Sequence, residues 1–139
     1  MNHENKKIES AEELTLQSLG MILYHMGIAY AQGRMTGEKD YKKAIDCYRQ
    51  AAKLSNANAM YAIAISYANG LGVALDHTAA CNWYTKAAEL GHDQAMYNLG
   101  LCFEHGWGVE IDIDTSFVYF RRAAALGNQD ALKRISGEL

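Results

Sequence analysis

The chain of 139 residues is half apolar, 21% charged and free of proline, with a net charge of −3. A chain of that size folds most simply as one domain, removing roughly 68–70% of its unfolded surface from water. Its charge offers no basic face to nucleic acid or an anionic membrane, and no run approaches the roughly 18 consecutive apolar residues of a membrane span.

Residues 1–10, MNHENKKIES, are polar throughout, lack a secretory apolar region and are expected to form a flexible tail. Ser10-Ala11-Glu12-Glu13 is a capping-box pattern. It opens an apolar-periodic run through Leu14, Leu19, Ile22, Leu23, Met26 and Tyr30, which predicts one long helix over about residues 11–32. The first half of that helix is expected to shield the side of the domain it precedes. A polar loop follows, GRMTGEKD, and then a helical run with Tyr48 and Ala51-Ala52 on one face.

In residues 58–69 the apolar positions Ala59, Met60, Ile63, Ala64 and Tyr67 mark a helix face. Gly70 suits the left-handed residue just past the helix end. Asp76 stands where an N-cap belongs, before a second helix with Ala80, Tyr84, Ala87 and Ala88 on one face and Gly91 as its stop.

The segment between these helices, NGLGVALD, returns 36 residues later as HGWGVEID. Ala59-Met60-Tyr61 returns as Ala95-Met96-Tyr97, Tyr84 as Phe120, Ala87-Ala88 as Ala123-Ala124 and Leu90-Gly91 as Leu126-Gly127. Ala51-Ala52 and Tyr48 belong to an earlier copy, whose loop carries one extra residue and lacks the GxGV pattern. A fixed period of this length marks a helical repeat array. The recurrence, and the position after a helix, exclude a phosphate loop, which opens a helix after a strand. The boundaries read as repeats over 21–56, 57–92 and 93–128, with a truncated capping helix over 129–139. Lys133, Arg134 and Glu138 make that last segment polar, so the chain is expected to be complete as a short solenoid.

These residues resemble the Sel-1-like repeat family, relatives of the tetratricopeptide repeats. The second copy carries Ala59, Ile63-Ala64, Tyr67, Gly70, Gly72-Val73, Asp76, Ala80, Trp83-Tyr84, Ala87-Ala88 and Gly91 of the family pattern. The third departs from it at Phe103 and at Ser116, where alanine is usual. The resemblance implies an all-α, right-handed superhelical solenoid of three helix pairs, with an N-terminal helical extension and a C-terminal capping helix. It further implies a bacterial source and a non-catalytic adaptor that binds a partner protein or peptide in the concave groove lined by the first helix of each pair.

The phase of the helices then proposes the groove. The second copy supplies Asn58, Tyr61, Ile65 and Asn69; the third Gln94, Tyr97, Leu101, Glu104 and His105; the first Tyr24, Ile28 and Gln32. Tyrosine recurs at one stripe position, Tyr24, Tyr61 and Tyr97, and offers a rigid surface with a hydroxyl. The same ladder also fits packing between neighbouring helices, and both readings stay open. Trp107, in the third-copy loop, is read as covering the joint between helix pairs, with a second contact site as the alternative.

Cys102 and His105 are three apart on one helix, but two ligands are too few for a metal, so no metal or other cofactor is expected. No nucleophile, base and oxyanion arrangement assembles either. A secreted subset of the resembled family has a disulfide in each repeat and is associated with penicillin binding and β-lactamase activity. The resemblance places its cysteines at Ala52 and Ala59, then Ala88 and Ala95, so both that chemistry and its oxidising location are disfavoured. Cys47, Cys81 and Cys102 are read as reduced residues of a cytoplasmic protein. The alternatives to the adaptor are a small hydrolase of the penicillin-binding type or an enzyme regulator, and an oligomerisation unit. Three repeats give a short groove, which leaves a homodimer through an open edge of the solenoid in view.

Overall fold

The computed structural model describes residues 2–137, and every regular element among them is a helix. In chain order these are α1 (His3–Ala31), α2 (Tyr41–Lys53), α3 (Ala57–Asn69), α4 (His77–Glu89), α5 (Asp93–His105), α6 (Ile113–Ala125) and α7 (Gln129–Ser136). Helices α1/α2, α3/α4 and α5/α6 form hairpins stacked side by side, and α7 lies against α6.

The period of 36 is written into the caps. Asp40, Asp76 and Asp112 accept a hydrogen bond from the backbone N–H three residues on, each at 3.0 Å, and so begin α2, α4 and α6. Asn56, His92 and Asn128 begin α3, α5 and α7 in the same way. Each cap satisfies a donor that the first turn cannot, worth about 1 kcal/mol. Gly70 and Gly106 end α3 and α5 in the left-handed conformation.

Small residues let the hairpins close. Gly27 and Gly100 lie so near the rings of Tyr48 and Phe120 that an added Cβ would overlap them. Ile63 joins the α2 side of the core, beside Ile45, Tyr48 and Ala51. Ala64, its neighbour, joins Tyr84, Ala87 and Leu99 on the other side. Met60, Tyr67 and Trp83 border both clusters, so the core runs continuously from hairpin to hairpin. Val73 packs against the first of them. Ser116, fully buried where alanine is usual, donates to the Ile113 carbonyl at 2.7 Å and leaves no unpaired polar group.

The N-terminal segment differs from the sequence expectation. Helix α1 starts at His3, capped by Asn2, whose side chain accepts from the Glu4 N–H at 3.0 Å. Residues 3–10 are therefore helix and not a flexible tail, and Ser10–Glu13 lie inside the helix without acting as a cap. The segment holds no glycine or proline, so a helix anchored further on propagates back to the first good cap. Nor does this half shield the first hairpin. Every residue from 2 to 19 is exposed, and Gly20 is the first buried one. At about 1.5 Å per residue α1 is about 44 Å long and its partner α2 only about 20 Å, so half of α1 has nothing to lie on. At the other end Glu138 lies outside the described residues.

Candidate functional site

The three stripe tyrosines fold inward as well as along the surface. Tyr24 lies 6.0 Å from Tyr48, Tyr61 6.0 Å from Tyr84 and Tyr97 5.4 Å from Phe120, measured between ring centroids. Each first-helix tyrosine thus packs on the second-helix aromatic of its own hairpin, and each is half-buried. Burial raises the Tyr24 and Tyr61 hydroxyls above their usual value and pushes Tyr84 up to about 12, so all three stay protonated donors at neutral pH.

The amides that edge the stripe are bonded to one another. Asn98 donates to the hydroxyls of Tyr84 at 3.3 Å and Tyr61 at 3.5 Å, and accepts from Gln94 at 3.0 Å. Gln94 in turn accepts from the buried Asn128 at 3.0 Å, which also donates to Asp93 at 2.9 Å. This chain stitches α3, α4, α5 and α7 together. Asn58 accepts from His92 at 3.1 Å, and the His92 ring stacks on Tyr61 at 4.6 Å. Because Nδ1 of His92 accepts from the Ala95 N–H, its proton sits on Nε2, which donates to Asn58. Burial lowers the His92 pKa, with Asp93 partly opposing it.

Beyond this network a cleft of about 290 Å³ opens between the second and third hairpins. Helix α3 lines it with Ile65, Ala68 and Asn69, α4 with His77, Ala80 and Tyr84, and α5 with Asn98, Leu101 and Cys102. Trp107 completes the lining, 45% exposed, with its ring stacked on His105 at 4.5 Å and its centroid 6.3 Å from that of His77. The Trp107 carbonyl accepts from the Cys81 thiol at 2.9 Å, fixing the loop to α4. Trp107 therefore both covers the joint and lines the cleft. The lining is mostly apolar, with amide, hydroxyl and imidazole groups among it and no carboxylate or ammonium group.

Of the residues named from sequence, Ile65, Asn69 and Leu101 meet in this cleft. Tyr61 is not part of the lining and touches it only through Asn98 and Tyr84. Tyr24, Ile28 and Gln32 belong to the first hairpin: Ile28 packs on its core, and Gln32 caps α1 through its backbone N–H. Tyr97 lies against Phe120, away from the cleft lining. Glu104 is engaged by Arg134 of α7 and by His105 at 3.2 Å. Sequence reasoning missed Asn98, Tyr84, His77 and Ala80. Asn98 follows Tyr97 directly, and a stripe drawn through 94, 98 and 101 would have found it. His77 and Ala80 come from the second helix, which no first-helix stripe contains. No group of three or more potential metal ligands occurs among the described residues.

A Sel1 repeat family model matches residues 23–56, 57–92 and 93–128. Among solved structures, the chain is similar to a protective antigen of uropathogenic Escherichia coli strains with an SLR fold, at 35% identity and a TM-score of 0.77 over 94% of this chain. It is also similar to a Sel1 repeat protein from Oxalobacter formigenes, at 30% identity and a TM-score of 0.79 over 85% of this chain. The chain spans 27% and 47% of the lengths of those two proteins. Helicobacter pylori cysteine rich protein B shares the fold, with a TM-score of 0.69 at 22% identity over 91% of this chain and 93% of its own. No curated protein is similar.

Proposed function

Because this chain belongs to the Sel1 repeat family, whose members are typically protein–protein interaction modules, we propose that it is a non-catalytic adaptor holding a partner protein or peptide in the cleft between its second and third hairpins. The observation that carries this reading is the cleft lining, in which apolar Ile65, Leu101 and Trp107 stand together with polar Asn69, His77 and Asn98. A cleft of that kind takes an apolar side chain and offers hydrogen bonds to the backbone beside it. Of the proposed groove residues, Tyr24, Tyr61 and Tyr97 act mainly by holding the first helices in place, and the contact passes to Ile65, Asn69 and Leu101. A cytoplasmic location is part of the proposal, supported by three buried, unpaired thiols. No helix among the described residues is long and apolar enough to cross a membrane.

The chain has two tryptophans, so Trp83→Phe leaves Trp107 as the sole reporter. A partner captured from the source organism and titrated against this variant is expected to shift Trp107 emission in proportion to binding. Saturable binding that leaves Trp107 emission unchanged would place the contact elsewhere.

A further inference from the structure

The amide relay that ends at Tyr84 has a fixed polarity. It starts from a group that can only donate, the backbone N–H of Ala131, which Oδ1 of Asn128 accepts at 2.9 Å. The Asn128 amide nitrogen therefore faces Gln94 and donates to its Oε1. Gln94 then turns its own nitrogen to Oδ1 of Asn98, and Asn98 turns its nitrogen to the hydroxyls of Tyr84 and Tyr61. Reversing any amide of the relay sets donor against donor.

Among the described residues the Tyr84 hydroxyl enters one hydrogen bond, at 3.3 Å, and enters it as the acceptor. Its own proton must find a partner elsewhere. Tyr84 is 4% exposed, yet it lines the cleft between the second and third hairpins. A buried donor without an acceptor is costly, so a group that supplies one there is favoured. Packing alone does not call for the hydroxyl. The equivalent residue of the third hairpin is Phe120, and Arg134, the equivalent of Asn98, lies over its ring at 5.3 Å. The first hairpin has Tyr48 but carries Ala62 in the place of Asn98. Tyrosine and the amide that orients it meet at the second joint alone.

We propose that Tyr84 is the specificity-determining contact of the cleft, donating its proton to a neutral oxygen at the tip of a partner's side chain. This rests on the reading of the cleft as a partner site. At that depth a side-chain tip reaches the hydroxyl, and a main chain flanked by its own side chains does not. The oxygen is neutral because the lining holds no cation, and a carboxylate sunk there would lose its water without gaining a counter-charge. Behind its tip the side chain is apolar, to match Ile65, Leu101 and Trp107. Glutamine, asparagine and tyrosine have this chemistry; leucine and phenylalanine lack the oxygen. A space of about 290 Å³ suits one such anchor.

Random peptides displayed on phage, selected in parallel on the intact wild-type chain and on Tyr84→Phe, test the proposal. Tyr84→Phe installs the residue that Phe120 already is in the next hairpin, so its thermal transition should match that of wild type. Peptides taken from wild type should share a glutamine, asparagine or tyrosine anchor, and those taken from the variant an aliphatic or phenylalanine one. A synthetic peptide from the wild-type selection should bind Tyr84→Phe about tenfold more weakly, because its oxygen is then buried without a donor. It should bind Asn98→Asp at least as weakly, since a carboxylate of the same shape accepts the Tyr84 proton and turns it from the cleft. The same anchor in both selections, or undiminished affinity for either variant, overturns the role of Tyr84 and leaves the cleft as the site. A selection that enriches nothing, or peptides whose binding survives Leu101→Gln with Trp107→Ala, overturns both the proposal and the reading beneath it.

Discussion

Gly108 rests directly against the backbone carbonyl of His77, the first residue of α4, with no room for a side chain between them. Gly72 stands in the same relation to Tyr41, the first residue of α2. The second glycine of each GxG pair is thus the point where one hairpin's loop meets the second helix of the hairpin before it. Both have positive φ, 75° and 74°. Gly72→Ala or Gly108→Ala combines left-handed strain with a backbone clash, and each should lower the unfolding free energy by about 2–4 kcal/mol. Gly91→Ala is the control: its φ is 84° but nothing lies within 4 Å, so about 1 kcal/mol is expected. Urea unfolding of the three variants checks the ordering.

This contact also explains what was legible. The period, the hairpin caps at Asp76 and Gly70 and the family resemblance all followed from local chemistry, which the sequence carries residue by residue. The loop GRMTGEKD lacks the GxG pattern, and its Gly37 has nothing within 4 Å where a side chain would begin, so no such close approach calls for the pattern there, a fact about neighbours that no single loop reveals. The length of α1 escaped for a related reason. The capping box at Ser10 is locally sound, but a helix continues through such a box when nothing stops it upstream. The cleft was half legible: Ile65 and Leu101 fall on one helical phase, whereas His77 and Trp107 reach it from a different helix and a loop.

Tyr61 separates packing from contact chemistry. Its ring stacks on His92 and packs on Tyr84, while its hydroxyl receives a long hydrogen bond of 3.5 Å from Asn98. Tyr61→Phe should cost less than about 1 kcal/mol and Tyr61→Ala about 2–3 kcal/mol of stability. Thermal unfolding of the two variants, measured without any partner, reads the difference.

Stability should fall below neutral pH through His92. Its folded pKa is depressed below the ordinary 6.5, first by burial, so the unfolded chain binds this proton more readily. The contribution is complete above about pH 6.5, is lost as pH drops through 6.5 toward the lowered folded value, and levels off beneath it. The loss cannot exceed about 1.4 kcal/mol per pH unit for one proton. His92→Asn restores the cap residue used at Asn56 and Asn128, and denaturant titrations should show a shallower decline between pH 7 and pH 5 than wild type.

The cysteines should be silent while the chain is folded. All three are buried. Burial raises the Cys47 thiol; the hydrogen bond with Cys81, and then burial, hold Cys102 protonated, while the same hydrogen bond lowers Cys81, which is kept from reagent by its burial alone. A thiol-specific disulfide reagent should therefore react with native protein at the rate of its opening and release three equivalents at once on unfolding. Rapid reaction of Cys81 or Cys102 in native buffer would show that the joint at Trp107 opens readily.

The cleft itself is tested most directly by the affinity of one captured partner for three forms of the chain: wild type, Leu101→Gln with Trp107→Ala, and Ile22→Glu, a change at an exposed position of α1. The first and third should bind alike, and the cleft variant should bind at least about tenfold more weakly while retaining the wild-type fold by circular dichroism. Equal affinity for wild type and the cleft variant would contradict the assignment of function to this cleft.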